Sequence, residues 1–188
     1  MGGLIALEMA QMGHGHLLQS LTLVDITHKP NLFACKRIAG YITEELPILQ
    51  NVEQQVDFTK ANLPLGEVPD EVWRNFAIHQ LVQTEKGYTF HFDPKIVRQA
   101  RIDLLEPGDW TEGLKKLTCP IALVAGEISD LCTKDEIASL KSLKPAAIIH
   151  ICAKAGHIPA LNDDSTKAFI GGFLKSAPPK STHSEPPV

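Results

Sequence analysis

Three short runs of branched apolar residues limit most strongly what this chain can fold into. They read LTLVDI near residue 21, IALVAG at 121–126 and AIIHICA at 147–153. Continuous apolar runs of this length are typical of strands buried on both faces, as in parallel sheets. The segment between the second and third runs predicts a helix, with Thr133 and Glu136 as an N-terminal capping box. Strand, helix and strand in this order predict a βαβ unit and therefore an α/β fold.

The opening segment MGGLIALEMAQMG predicts a helix that has almost no polar face. Between Leu4 and Met12 the only strongly polar side chains are those of Glu8 and Gln11. A surface helix normally carries a solvated stripe, so we expect other structure to cover this helix on several sides. Because terminal segments usually lie at the surface, we also expect further structure to precede it.

The stretch from His28 to Asp109 differs from the rest of the chain in its sequence pattern. It lacks strand-like runs and contains the helix-like segments CKRIAGYITEELPIL and PDEVWRNFAIHQLV, with GYTFHFDP as a short extended piece. We interpret it as a mostly helical insertion after the first strand. An insertion at the carboxyl end of a parallel strand lies over the crevice where open α/β sheets bind ligands.

A last helix is predicted to start near Asp163 or Asp164, and a tail rich in Pro, Ser and charged residues follows it. A tail of this composition cannot build a core, so we expect it to be disordered. The predicted division is therefore an opening helix and strand at 1–27, a helical insertion at 28–109, a βαβα part at 110–175 and a tail at 176–188.

The composition excludes several classes of function. The formal net charge is -4 and the acidic and basic residues are interspersed, which disfavours nucleic acid as a partner. No apolar run approaches the ~20 residues of a membrane helix, and no secretory signal is visible, so we expect a cytoplasmic protein without membrane contact. The four cysteines form no CxxC pair and indicate free thiols, and no spacing implies a metal or an organic cofactor.

Several segments together resemble the α/β-hydrolase superfamily. MGGLIALEMA followed by LTLVDI is similar to the helix and strand that follow the nucleophile elbow, whose fuller form is G-x-S-M-G-G. DWTEGLKKLTCPIALVAGEISDLC resembles the seventh strand with its acid turn, and AKAGHIPALNDDSTKAFIGGFL resembles the catalytic histidine loop and the closing helix. The resemblance implies the carboxyl-terminal part of an α/β-hydrolase fold, with an incomplete parallel sheet of about three strands and a helical cap insertion.

The resemblance also implies the members of a proton-relay pair. Asp130 follows the strand IALVAG and His157 follows the next strand, so both lie at the carboxyl edge of a parallel sheet. Adjacent strands would place the two loops side by side, where a carboxylate can hold an imidazole in the tautomer that acts as a base. We therefore predict Asp130 and His157 as catalytic. Asp25, at the end of LTLVDI, is the alternative acid.

In the family that this chain resembles, the nucleophile is the residue immediately before the position of Met1. The 188 residues therefore lack it, and Met1 and Gly2 are expected to be the remnant of the elbow and of the oxyanion hole. A free amine at Met1 would be a poor substitute for a fixed peptide N–H. We expect the chain alone to be inactive and prone to aggregate unless an upstream polypeptide completes the sheet.

The sequence leaves two functions open. The first is a serine hydrolase of the esterase or lactonase type that acts on small acyl esters or related carbonyl substrates, and is inactive in this chain alone. The second is a catalytically inactive fragment of hydrolase origin that binds a partner through its open sheet edge, or that retains only the cap as a ligand-binding surface. In the first case Trp73, Phe76 and Tyr88 of the insertion are candidates for lining the substrate pocket.

Overall fold

The computed structural model describes residues 1–42, 47–63 and 66–177. Most of the predicted disordered tail, from residue 178 onward, lies outside the described residues. Within the described part of the chain, no helix is both long enough and apolar enough to cross a bilayer.

A three-stranded parallel sheet forms the centre of the fold. Its strands are β1 (Leu21–Val24), β4 (Ile121–Gly126) and β5 (Ile148–Cys152), in the spatial order β1-β4-β5. The register pairs Leu21 with Ile121 and Ala122 with Ile148, so the carboxyl ends of the strands meet at one edge of the sheet. The predicted parallel α/β arrangement is confirmed, and β4 coincides with the predicted run IALVAG.

Helices cover both faces of this sheet, which explains why β4 is buried throughout. On one face, Leu123 of β4 belongs to a cluster with Leu7 of the opening helix, Leu114 and Leu140. On the other face, Val124 packs in a cluster with side chains of the last helix. The helices of this core are α1 (Gly2–Gln11), α6 (Thr111–Lys116), α7 (Lys134–Leu143) and α8 (Asp164–Ser176).

Two local helix signals are confirmed. Thr133 caps α7, and its side chain and that of Glu136 form the predicted capping box. Asp163 caps α8 by accepting a hydrogen bond from the Thr166 amide at 2.8 Å.

The segment between β1 and α6 is mainly helical, with a two-stranded antiparallel hairpin that the sequence only partly predicts. The helix expected over PDEVWRNFAIHQLV ends at Gln80, and Leu81 and Val82 begin the hairpin instead. The helix expected over CKRIAGYITEELPIL begins earlier and ends at Tyr41, and residues 43–46 of that segment lie outside the described part. The elements are α2 (Leu32–Tyr41), α3 (Val52–Asn62), α4 (Asp70–Gln80), β2 (Leu81–Thr84), β3 (Gly87–Phe90) and α5 (Lys95–Leu105).

One expectation about burial needs correction. The third apolar run is not buried on both faces, because β5 lies at the edge of the three-stranded sheet and leaves Ile148 44% and Ile151 45% exposed. The opening helix α1 is covered on one side within the described residues, and its coverage by further structure stays a prediction. Its Leu7 is fully buried, whereas Met1 and Ile5 are largely exposed.

Candidate active site

The end of β1 places the side chain of Asp25 inside the protein. Its backbone has a left-handed conformation with φ of 50°, and its carboxylate is fully buried. Oδ1 accepts a hydrogen bond from the Gly126 amide at 2.8 Å, and Oδ2 accepts one from Ser129 Oγ at 2.5 Å. These two hydrogen bonds compensate the buried carboxylate for the loss of hydrogen bonds to water.

His157 meets this carboxylate. Its Nδ1 donates a hydrogen bond to Asp25 Oδ2 at 2.9 Å, and 18% of its side chain is exposed. Nδ1 is thereby engaged, which leaves Nε2 as the nitrogen that can exchange a proton with a further group. Among residues 1–42, 47–63 and 66–177, no side chain is hydrogen-bonded to Nε2.

Gly126 explains how the histidine loop reaches across β4 to the end of β1. A Cβ on Gly126 would lie 2.3 Å from the carbonyl oxygen of Gly156 and 2.5 Å from that of Ala155. Because glycine has no Cβ, the backbone before His157 can lie directly against the end of β4. The loop is also strained after the histidine, since Ile158 has φ of 68°, which is unfavourable for a β-branched residue.

Asp130, the predicted acid, is engaged elsewhere. Arg37 of α2 donates to it from two nitrogens, from Nε to Oδ2 at 2.6 Å and from a terminal nitrogen to Oδ1 at 2.8 Å. These hydrogen bonds hold the pKa of the Asp130 carboxyl below its ordinary value. The carboxylate that His157 contacts is therefore that of Asp25, which the sequence ranked second. Asp130 lies four residues beyond the end of β4, and its carboxylate pairs with Arg37 of α2.

Ser129 and Gly126 are site residues that sequence reasoning missed. Besides donating to Asp25, Ser129 Oγ accepts hydrogen bonds from the amides of Leu131 and Cys132, both at 3.2 Å. Ser129 therefore fixes both the carboxylate and the turn after β4. Burial, followed by the Asp25 charge, raises the pKa of the Cys132 thiol, which disfavours the reactive thiolate.

Met1 and Gly2 form the exposed start of α1. The Met1 carbonyl accepts hydrogen bonds from the amides of Leu4 and Ile5, as expected at a helix N-terminus. Neither residue is hydrogen-bonded to Asp25 or His157 in the described part of the chain. Their role as an elbow remnant stays a prediction.

The three aromatic pocket candidates lie in different surroundings. Phe76 of α4 lines a cavity of about 570 Å³ together with the segment 158–162 that follows His157. Trp73 is buried in α4. Tyr88 lies in β3, and its backbone exchanges two hydrogen bonds with that of Leu49. Of the three, Phe76 lies beside the histidine loop.

Comparisons with known proteins bear on the fold. No protein-family model and no curated protein matches the sequence. An α/β hydrolase from Novosphingobium aromaticivorans superposes with a TM-score of 0.80 at 21% identity, over 92% of this chain and 62% of that chain. This chain has an α/β-hydrolase fold.

Two further structures with this hydrolase fold are similar to the chain. A candidate hydrolase from Rickettsia typhi has a TM-score of 0.80 at 24% identity, over 93% of this chain and 59% of its own. An esterase from Mycobacterium tuberculosis has a TM-score of 0.62 at 24% identity, over 93% of this chain and 58% of its own. The chain thus spans about 60% of the length of the hydrolases that it matches.

Proposed function

We propose that this chain is the carboxyl-terminal part of a serine hydrolase that acts on acyl esters or related carbonyl compounds. The observation that carries the proposal is the 2.9 Å hydrogen bond from His157 Nδ1 to the fully buried carboxylate of Asp25. A histidine held by a buried carboxylate, with its other nitrogen free, is the arrangement that activates a hydroxyl nucleophile.

In this proposal His157 is the general base and Asp25 is the acid that orients it. Asp25 selects the imidazole tautomer that carries its proton on Nδ1, so that Nε2 can take the proton of the attacking hydroxyl. When Nε2 becomes protonated, the buried carboxylate stabilises the imidazolium. Nε2 then returns the proton to the leaving group. Gly126 and Ser129 are positioning residues because they hold the carboxylate.

We place the nucleophile on a serine immediately before the position of Met1, outside the 188 residues. The packing of α1 supports this position. A Cβ on Gly3 would lie 2.9 Å from Leu23 Cδ2 and 3.0 Å from Ile26 Cγ2, so the first turn of α1 lies against the end of β1 that carries Asp25. The amide of the residue after the nucleophile would then serve as an oxyanion donor.

The substrate class and the setting of the site are also part of the proposal. An esterase has a similar fold, which supports an acyl ester as the substrate. The segment at 28–109 would act as a cap, and an antiparallel bridge between Gly66 and Ala155 supports a role of this segment beside the histidine loop. A cytoplasmic location without a cofactor stays a prediction.

A second candidate is a catalytically inactive protein that binds a partner. The observation that favours it is the position of β1, whose ladder partner among the described strands is β4 alone, which leaves one edge of β1 open. Open strand edges pair readily with other polypeptides. The exposed apolar side chains of Met1 and Ile5 on α1 could contribute to such a contact.

Labelling by a fluorophosphonate tests the hydrolase proposal. The protein is produced with the segment encoded in frame upstream of the Met1 codon, fused or supplied as a separate polypeptide. The extended protein should be labelled, whereas the 188-residue chain should not. His157→Ala should abolish labelling, and the matched variant His14→Ala, in the exposed turn after α1, should not change it.

The two candidates differ in this experiment. An upstream stop codon, or an extended protein that stays unlabelled although it folds, would contradict the hydrolase and favour the binding protein. Labelling of His157→Ala at the wild-type rate would contradict the assigned base.

A further inference from the structure

A cavity of about 480 Å³ lies between α1 and α5, and none of the roles proposed above uses it. It borders the edge of the sheet that carries the two aspartates. Ile26, which directly follows Asp25, and Leu131, which directly follows Asp130, both line it. Met1 lines it as well, so this α1–α5 cavity adjoins the position from which the proposed nucleophile would act.

The walls of the α1–α5 cavity are mostly apolar. Besides Ile26 and Leu131, they include Leu4 and Ile5 of α1 and Leu104 of α5. A volume of this size falls in the range of about 300–1,000 Å³ that is typical of small-molecule sites. A wall of aliphatic side chains can pack against an alkyl chain, but it offers no hydrogen bonds to a polar chain.

The charged side chains that line the cavity all have one sign. Three carboxylates, Glu8, Asp103 and Glu106, belong to the described lining residues, and none of those residues is a lysine, arginine or histidine. Glu8 Oε2 accepts a hydrogen bond from Trp110 Nε1 at 2.8 Å, which fixes the indole at the wall. In the extended protein, where Met1 would carry a peptide nitrogen instead of an ammonium group, an anionic chain would meet repulsion from these carboxylates without a cationic side chain on the described lining.

We propose that the α1–α5 cavity binds the apolar acyl chain of a neutral ester, and that its carboxylates select against acyl chains that end in a carboxylate. The inference rests on the proposed function, because it assigns the substrate class of that site. The binding itself needs no nucleophile and can be measured on the 188-residue chain.

Trp110 serves as a reporter, because a bromine atom in contact with an indole quenches its fluorescence. The chain contains two tryptophans, Trp73 and Trp110, of which Trp110 lines the cavity. Titration with the neutral probe 8-bromo-1-octanol should give saturable quenching that Trp110→Phe removes. Shorter bromoalcohols should bind more weakly, by about fourfold for each methylene group lost from the buried chain. In the N-terminally acetylated chain, which lacks the Met1 ammonium group, the anion 8-bromo-octanoate should bind about tenfold more weakly than the alcohol.

A pair of variants on α5 provides the control. Ala100 lines the cavity, whereas its neighbour Arg101 is exposed. Ala100→Phe should fill the cavity and lower its affinity for the alcohol by at least about tenfold. This loss corresponds to about two methylene groups of the alcohol that are no longer buried. Arg101→Phe should bind the alcohol as the wild type does, and circular dichroism should show both variants folded.

Three results would overturn the inference: quenching that persists in Trp110→Phe, equal affinity of the acetylated chain for the alcohol and the anion, or unchanged affinity in Ala100→Phe. In the extended protein, Ala100→Phe should slow labelling by octylphosphonyl fluoride but not by methylphosphonyl fluoride. Equal octyl labelling would mean that a protein segment covers the cavity, which also contradicts the inference. Failure of the hydrolase proposal looks different, since it would leave saturable binding intact and remove all labelling.

Discussion

Asp25 and Asp130 each follow a strand of the same parallel sheet, yet the two carboxylates have opposite surroundings. Asp25 is fully buried, is held by Gly126 and Ser129, and contacts His157. The Asp130 side chain is 37% exposed and forms a two-point ion pair with Arg37. A position at a strand end therefore does not determine which carboxylate contacts His157. The direction of the side chain and its supporting hydrogen bonds do.

A close approach between two backbone segments explains how His157 reaches Asp25. His157 follows β5, and β4 lies between β5 and β1. The histidine reaches past the nearer strand because Gly126 lets the backbone at 155–156 lie against the end of β4. The longer excursion of the loop after β4 carries Asp130 toward α2, where the guanidinium of Arg37 neutralises it.

The largest expected difference between the two carboxylates is in catalysis. In the extended protein, Asp25→Asn should lower the rate of fluorophosphonate labelling by about 10³–10⁴-fold, because the asparagine favours the wrong imidazole tautomer. Asp130→Asn should change the rate by less than about tenfold. Labelling rates of the two variants at neutral pH measure this directly, and the reverse ranking would contradict the assignment of Asp25.

Asp25 should also contribute more than Asp130 to the stability of the fold. Asp25→Ala leaves the Gly126 amide and the Ser129 hydroxyl buried without their acceptor, so it should lower the free energy of unfolding by about 2–4 kcal/mol. Asp130→Ala removes a partly exposed ion pair and should cost about 1 kcal/mol or less. Urea unfolding of both variants of the extended protein provides the comparison. Equal losses would mean that the buried hydrogen bonds of Asp25 contribute no more stability than the partly exposed ion pair of Asp130.

Ser129 offers a smaller perturbation of the same site. Ser129→Ala keeps the carboxylate but removes one of its donors, so unfolding should become easier by about 1–2 kcal/mol. Labelling should slow by about tenfold, since one positioning hydrogen bond is lost. Ser142→Ala is the matched control, because Ser142 Oγ donates only to the backbone carbonyl of Ser139 in the described structure. A labelling rate of Ser129→Ala equal to that of this control would show that the hydroxyl does not position Asp25.

The smallest expected effect is the pH dependence of the Arg37–Asp130 pair. The folded-state pKa of Asp130 is lowered by Arg37, so the pair stabilises the fold above the unfolded pKa of about 3.9. That contribution, at most about 1 kcal/mol, is lost as the pH falls through the folded pKa. Wild type and Asp130→Asn should therefore differ at pH 7 and converge in acid. A difference that grows below pH 4 would have the wrong sign.

The parts of the fold that the sequence predicts are those with local signals. The run IALVAG alone defines β4, and the residues Thr133 and Glu136 alone define the start of α7. The first strand of the hairpin has no such signal. Its residues LVQT continue the apolar pattern of α4 and are mostly exposed, so nothing local marks the change from helix to strand.

The residues of the site can also be divided into those that local sequence signals predict and those that they do not. His157 and both candidate acids are visible in the sequence, because each follows an apolar strand run. The choice between the two acids is not visible in the sequence, because it depends on two contacts between distant segments. One is the approach of Gly156 to Gly126, and the other is the ion pair of Asp130 with Arg37, 93 positions away. Ser129 had no signal beyond its place next to Asp130.

In the structure Asp25, and not Asp130, is hydrogen-bonded to His157, and this arrangement fixes the tautomer of the imidazole. Nitrogen-15 NMR of the His157 imidazole tests it most directly, at a pH where the ring is neutral and without any need for the nucleophile. We expect a proton on Nδ1 in the wild type and in Asp130→Asn, and a shift toward the Nε2-protonated tautomer in Asp25→Asn. A tautomer that changes in Asp130→Asn and is unaffected in Asp25→Asn would contradict it.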